Sequence, residues 1–122
     1  MALIKNFEDL ECWKLARLYV KKIYLNTSRQ QLNNDFGFQS QLRDAAVSIM
    51  NNIAEGFGRL SKKEFRRFLD IALGSLAETK SMTYIAYDLN YFSEELTEEL
   101  QVENEIIKSK ILGLIKYLNT KI

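Results

Sequence analysis

No histidine occurs among the 122 residues, and that absence excludes more chemistry than any residue present supplies. Without imidazole there is no Ser-His or Cys-His nucleophilic pair and no His-ligated metal site. The single cysteine, Cys12, cannot close an internal disulfide or build a thiolate cage for zinc. With nothing to activate it, Cys12 reads as a small packed hydrophobe. Proline is absent and glycine occurs only five times, which suits long helices better than many short turns. No apolar run approaches the roughly 18 residues of a membrane span. Residues 1–9 lack the apolar core of a secretory signal, so a reduced, cytoplasmic setting is expected. Charge of one sign is also missing: 17 Lys and Arg against 16 Asp and Glu leave +1, too little for a general attraction to nucleic acid or membrane.

What is present is helical periodicity. From about Phe7 to Arg29, the residues Leu10, Trp13, Ala16 or Arg17, Val20, and Ile23 or Tyr24 recur at three- and four-residue spacing and draw one apolar stripe. Residues 26–34, with Thr27, Ser28 and three asparagines, read as a loop. Asp35 is placed to cap a second helix, whose stripe is Phe38, Leu42, Ala45, Ile49 and Ile53. Gly56 and Gly58 stand where a helix end with positive φ is expected. Ser61 and Glu64 have the spacing of a capping box and open a third helix running to about Leu89. Asn90 suits a left-handed terminator. Ser93 caps the fourth helix, with Glu94 and Glu95 facing the positive end of its dipole. Leu100, Ile107, Ile111, Leu114 and Leu118 carry that helix's stripe, and Lys108, Lys110, Lys116 and Lys121 crowd its later half. Four amphipathic helices on short loops predict an all-α, antiparallel up-down-up-down four-helix bundle in one domain, residues 1–122.

The third helix is apolar on more than one side. Phe65, Leu69, Ala72, Leu76, Thr83 and Ala86 form one stripe, and Phe68, Ile71, Met82, Ile85 and Leu89 form another beside it. A helix facing only its own bundle needs about three apolar positions in seven. The surplus, centred on Phe68, Ile71, Met82 and Ile85, predicts an interface with a second subunit, with a wide core stripe as the alternative. Cyclic symmetry is the usual form of such an assembly.

Basic residues concentrate at one helix start: Arg59, Lys62, Lys63, Arg66 and Arg67, offset only by Glu64. Cations are unfavourable at the positive end of a helix dipole, so stability does not account for their placement. Phosphate groups are the natural partners of such a cluster. A solvated face with ion pairs to Glu64 or Asp70 is the plainer alternative for the cluster taken alone. Arg43 and, on the first helix, Arg17, Lys21 and Lys22 are possible extensions of a phosphate-binding surface. Trp13, Tyr19 and Tyr24 have base-stacking chemistry, though aromatics at helical spacing belong more often to a core. The carboxylates Glu55, Glu64, Asp70, Glu78 and Asp88 lack the Glu-x-x-His pairing of di-metal bundles. No cofactor, metal or catalytic residue is expected.

These residues together resemble the bacterial four-helix-bundle family of 23S rRNA intervening-sequence proteins. The resemblance is carried by Phe7-x-x-Leu10-x-x-Trp13-x-x-Ala16, by Phe36-Gly37-Phe38-x-x-Gln41-Leu42-Arg43-Asp44-Ala45-Ala46, and by Asn52-Ile53-Ala54-Glu55-Gly56. It continues through Arg59-x-Ser61-x-x-Glu64-Phe65-x-x-Phe68-Leu69 and Asp88-Leu89-Asn90-Tyr91. Met50 stands where the family commonly has proline, which predicts a straighter second helix. Asp44 replaces one of a usual arginine pair, and Asn90 a usual glycine. The resemblance implies a non-enzymatic protomer in a cyclic homo-oligomer, commonly a pentamer. Similar bundles, the accessory proteins of diversity-generating retroelements, bind nucleic acid and a reverse transcriptase. The resemblance therefore implies nucleic acid as a partner, RNA ahead of DNA, with a docked protein partner as the other expectation.

Overall fold

A computed structural model of the chain describes residues 4–120; Lys121 lies outside them. A 3-10 turn, Phe7–Asp9, precedes four helices: α1 (Glu11–Leu25), α2 (Phe36–Phe57), α3 (Lys62–Asp88) and α4 (Glu94–Thr120). Each helix packs on its two neighbours in the order α1, α2, α3, α4 and back to α1, while the diagonal pairs do not meet. The directions alternate. Arg43 near the start of α2 reaches Tyr24 at the end of α1, Ser48 of α2 meets Ser75 of α3, and Arg66 near the start of α3 reaches Asn119 near the end of α4. The architecture is the expected antiparallel four-helix bundle.

Local chemistry sets most boundaries. The Asp35 carboxylate accepts from the Phe38 amide at 3.2 Å and the Ser61 hydroxyl from the Glu64 amide at 3.1 Å. The Ser93 hydroxyl accepts from the Leu96 amide at 3.0 Å. Each satisfies one of the free N–H groups that every helix start leaves. Asn90 adopts φ 62° after α3, and α2 runs unbroken through Met50.

Three expectations shift. Helix α1 starts at Glu11 rather than Phe7, because Leu10 is extended (φ −72°, ψ 127°) and separates the 3-10 turn from the helix. Its buried stripe is Leu10, Cys12, Ala16, Tyr19 and Ile23, rotated from the one expected; Trp13 and Val20 sit at its flank, half-buried. Neither Gly56 nor Gly58 has positive φ. Gly56 is needed for space instead: a Cβ there would lie 2.7 Å from the Phe68 Cβ and 3.2 Å from the Phe65 carbonyl oxygen.

The core is aliphatic and centred on Leu42, Ile49, Ile53, Leu69, Leu76, Leu100, Ile107 and Ile111. Burying side chains of this size stabilises by about 1.5–3 kcal/mol each. Several polar side chains are buried within it, Asn104 among them. Buried Asn104 donates to the Tyr19 hydroxyl at 3.0 Å and to the Leu76 carbonyl at 2.9 Å, tying α4 to α1 and α3. Among the described residues no helix is long and apolar enough to cross a membrane.

Candidate nucleic-acid interface

The turn between α2 and α3 lies at one end of the bundle and carries the basic cluster. Gly56 lets α3 approach α2 closely there, and Phe57 meets Phe65 edge to face, centroids 5.8 Å apart. The Phe68 ring fills the angle beneath. Two guanidinium carbons, those of Arg59 and Arg67, lie 4.9 and 4.6 Å from its centroid, within cation–π range. Around this anchor Arg59, Lys62, Lys63, Arg66 and Arg67 are all exposed, and Leu60 projects fully into solvent among them.

Part of the charge is answered locally. Arg59 pairs with Glu55 at 2.8 Å, and Arg67 holds Glu64 through two bonds of 3.1 and 3.2 Å. Arg67 lowers the Glu64 carboxyl below its ordinary range, chiefly through those bonds. Arg66 donates to the Asn119 amide oxygen at 2.9 Å. Both ion pairs join exposed residues three or four apart in sequence, so each is worth at most about 1 kcal/mol. Five cations against two carboxylates leave the turn positively charged.

The other sequence-predicted cations separate into two groups. Arg43 and Lys22 work inside the fold. Arg43 donates to the Thr27 hydroxyl at 2.9 Å, the Thr27 carbonyl at 2.9 Å and the Tyr24 carbonyl at 3.2 Å, and its guanidinium lies 4.3 Å from the Tyr24 ring centroid. It thereby supplies donors to the carbonyls that the end of α1 leaves unpaired. Lys22 bridges Glu103 at 2.6 Å and Glu99 at 2.8 Å, and those carboxylates raise its pKa. Both side chains are engaged within the fold. Arg17 and Lys21 are exposed but remote: they flank Tyr19, which is level with Asn104, roughly 22 Å of helix from the Asn119 that Arg66 reaches.

Residues 8–113 match the model of the 23S rRNA-intervening sequence protein family. The chain belongs to that family. The matched stretch includes the whole basic turn and the cap residues Asp35, Ser61 and Ser93. No curated protein matches the chain.

In this member of the intervening-sequence family, the apolar surplus of α3 divides in two. Phe68 and Met82 are 6% and 7% exposed, whereas Ile71 and Ile85 are 40% and 47% exposed. The four residues of the expected interface therefore differ in exposure. Phe68 is covered by Arg59 and Arg67 of its own chain, and Met82 joins the protomer's core. Ile71, Ile85 and Leu89 remain as an exposed ridge on the α2–α3 face, beside Gly74 and Ser81.

The structure adds a second apolar surface that the sequence reading missed. Leu18 and Ile106, 62% and 45% exposed, lie where α1 meets α4, and Val102, 59% exposed, lines a second groove with Lys80 of α3, Glu98 and Glu105. Leu18 and Ile106 border a groove of about 260 Å³ with Leu15, Lys22, Glu103 and Ile107. The signal was available: Leu15, Leu18 and Leu25 fall off the stripe that buries Cys12, Ala16, Tyr19 and Ile23.

Burial pushes the Cys12 thiol up to about 11, which suppresses the thiolate on which its reactivity depends. No group of three Cys, Asp or Glu side chains there is arranged to hold a metal ion. The arrangement at the α2–α3 turn suits a polyanion: several exposed cations around an apolar, arginine-covered anchor.

Proposed function

We propose that this protein is a non-enzymatic, homo-oligomeric nucleic-acid-binding bundle, with RNA favoured over DNA, whose phosphate contacts are Arg59, Lys62, Lys63, Arg66 and Arg67. The observation that carries this reading is the exposed, net-positive α2–α3 turn. The family's association with 23S rRNA genes supports RNA as the class of partner. Oligomerisation runs through the ridge of Ile71 and Ile85, and a ring, with five subunits as the leading number, presents the turn several times to one strand. Repetition answers the weak attraction of a protomer at +1.

Binding to a structured RNA, measured across salt concentrations, tests the reading. About four phosphates neutralised per contact region give a log–log salt slope of roughly −3 to −4. Changing Lys62, Lys63, Arg66 and Arg67 together to Gln should flatten that slope and weaken binding to every sequence, with helicity and mass unchanged. Salt-independent or absent binding by the unaltered protein moves the assignment to the second reading, a ring that docks a partner protein. The pairing of Arg59 with Glu55 and of Arg67 with Glu64 is the observation on that side.

A further inference from the structure

We propose that Leu60, at the tip of the α2–α3 turn, receives the face of an unpaired RNA base, so that the RNA bound there carries bulged or looped-out nucleotides and is not a continuous duplex. This deepens the phosphate-contact reading above and rests on it. Leu60 is 106% exposed, against 68% for Leu25, the next large hydrophobic side chain among the described residues. Loose backbone does not explain its position. The Gly58 amide donates to the Ala54 carbonyl at 3.1 Å, and the Arg59 amide to the Gly56 carbonyl at 3.2 Å. On the other side the Ser61 hydroxyl accepts from the Glu64 amide. The residues flanking Leu60 are therefore pinned, in a link of residues 58–61 between the two helices. The space beneath the turn is taken by Phe57, Phe65 and Phe68, so the leucine is held outward.

Its surroundings select what covers it. Arg59 precedes Leu60, and Lys62 and Lys63 follow it, all exposed. Strand phosphates go to such cations, and what lies between successive phosphates is ribose and base. In a duplex the base faces are stacked on one another and only their edges reach the grooves. A projecting leucine would there meet mainly sugar, phosphate and polar base edges. An unpaired base offers a flat face that protein side chains can cover, and leucine is among the apolar residues that nucleic-acid-binding proteins place beside unstacked bases. Two arginines complete the setting. The Phe68 ring holds the guanidinium carbons of Arg59 and Arg67 at 4.9 and 4.6 Å from its centroid, and guanidinium planes also stack on unpaired bases. Phe68 itself is buried, so Leu60 supplies the apolar contact that the ring cannot.

The test measures binding to three short RNA stems: one with a single bulged uridine, one with an abasic residue at the bulge, and one fully paired. The abasic stem keeps the phosphate and removes only the base. The unaltered chain should bind the bulged stem about five- to tenfold more tightly than either of the others, the scale expected for covering one leucine. Leu60→Ser should bind all three alike, with the salt slope and helicity of the unaltered chain, because every cation is retained. Absent or salt-independent binding of all three stems by the unaltered chain overturns the phosphate reading and this inference together. Salt-dependent binding that does not distinguish the bulged from the abasic stem overturns the inference alone. So does a Leu60→Ser variant that still prefers the bulged uridine, or one that loses affinity equally for all three stems.

Discussion

The side-chain amide of Asn104 donates to the Tyr19 hydroxyl at 3.0 Å inside the bundle core. The same amide nitrogen reaches the Leu76 carbonyl, so one residue of α4 sets the axial level of α1 and α3. A helix sliding by one turn would leave buried donors and acceptors without partners, which costs about 1–3 kcal/mol per group.

Replacing Asn104 with Leu should therefore lower the unfolding free energy by about 1–3 kcal/mol in urea, with an unchanged m-value. The Tyr19 hydroxyl is then buried without its partner. Adding Tyr19→Phe to that variant should recover part of the loss, because both polar groups are gone, whereas independent sites would add. A double variant as unstable as the sum of the singles removes the register role assigned to this pair.

Alkaline stability depends on two buried acids. Burial pushes the Cys12 thiol from its ordinary 9.0 up to about 11 and the Tyr19 phenol from 10.0 up to about 12. The bond from Asn104 opposes the rise at Tyr19, and the charge of Glu103 adds to it. The unfolded chain releases these protons first, so it binds fewer protons than the folded chain between about pH 9 and 12. Stability from these groups is complete below pH 9 and is lost as pH rises to 12, by about 2–3 kcal/mol for each. Urea midpoints at pH 8, 10 and 11.5 should fall more steeply for the unaltered chain than for the Cys12→Ala, Tyr19→Phe variant. Parallel curves would show that neither group governs the transition.

The caps were legible because they are local. Asp35, Ser61, Ser93 and Asn90 do in the fold what their chemistry and neighbours specify within a few residues. Helix number and order followed from the spacing of apolar residues. What a stripe cannot reveal is which neighbour covers it. Phe68 and Ile71 are three apart on α3, yet Phe68 lies beneath two arginines of its own chain and Ile71 faces solvent. Arg43 and Lys22 read as surface cations for the same reason: their partners, Thr27 and Glu103, are 16 and 81 residues away. Gly56 looked like a helix terminator, because close approach of two helices leaves no mark in local sequence.

Arg43 tests that long-range cap. Arg43→Met keeps the stem but removes three donors from the end of α1, and should destabilise the fold by about 2 kcal/mol. Arg43→Lys should recover little, since a single ammonium cannot reproduce the forked contact with Thr27 and Tyr24. Full recovery by lysine would show that charge, rather than the fork, is what the helix end uses.

Two glycines separate packing from propensity. Gly74→Ala meets nothing within 4 Å and should stabilise the protomer by about 0.5–1 kcal/mol through helix propensity. Gly56→Ala gains the same propensity but drives a methyl against the Phe68 Cβ and the Phe65 carbonyl. Neither atom is the free end of a flexible side chain, so overpacking of about 1–3 kcal/mol should prevail. Opposite signs in thermal midpoints are the expected result. A stabilising Gly56→Ala would mean that α2 and α3 separate at the basic turn more easily than the structure indicates.

The last prediction concerns the carboxylates that hold Arg59 and Arg67. Both ion pairs are exposed, so a phosphate can replace either carboxylate at little cost. While Glu55 and Glu64 remain, they also repel the approaching backbone. Glu55→Gln and Glu64→Gln should therefore strengthen RNA binding at low salt by several-fold each and steepen the salt dependence, the reverse of the lysine and arginine variants. The fold should tolerate both, because Glu64 contributes its backbone amide, not its side chain, to the Ser61 cap. The two changes should be close to additive, since each carboxylate serves a different arginine. Weaker binding on removal of either carboxylate would mean that Glu55 and Glu64 themselves contact the partner, as a basic protein surface would require.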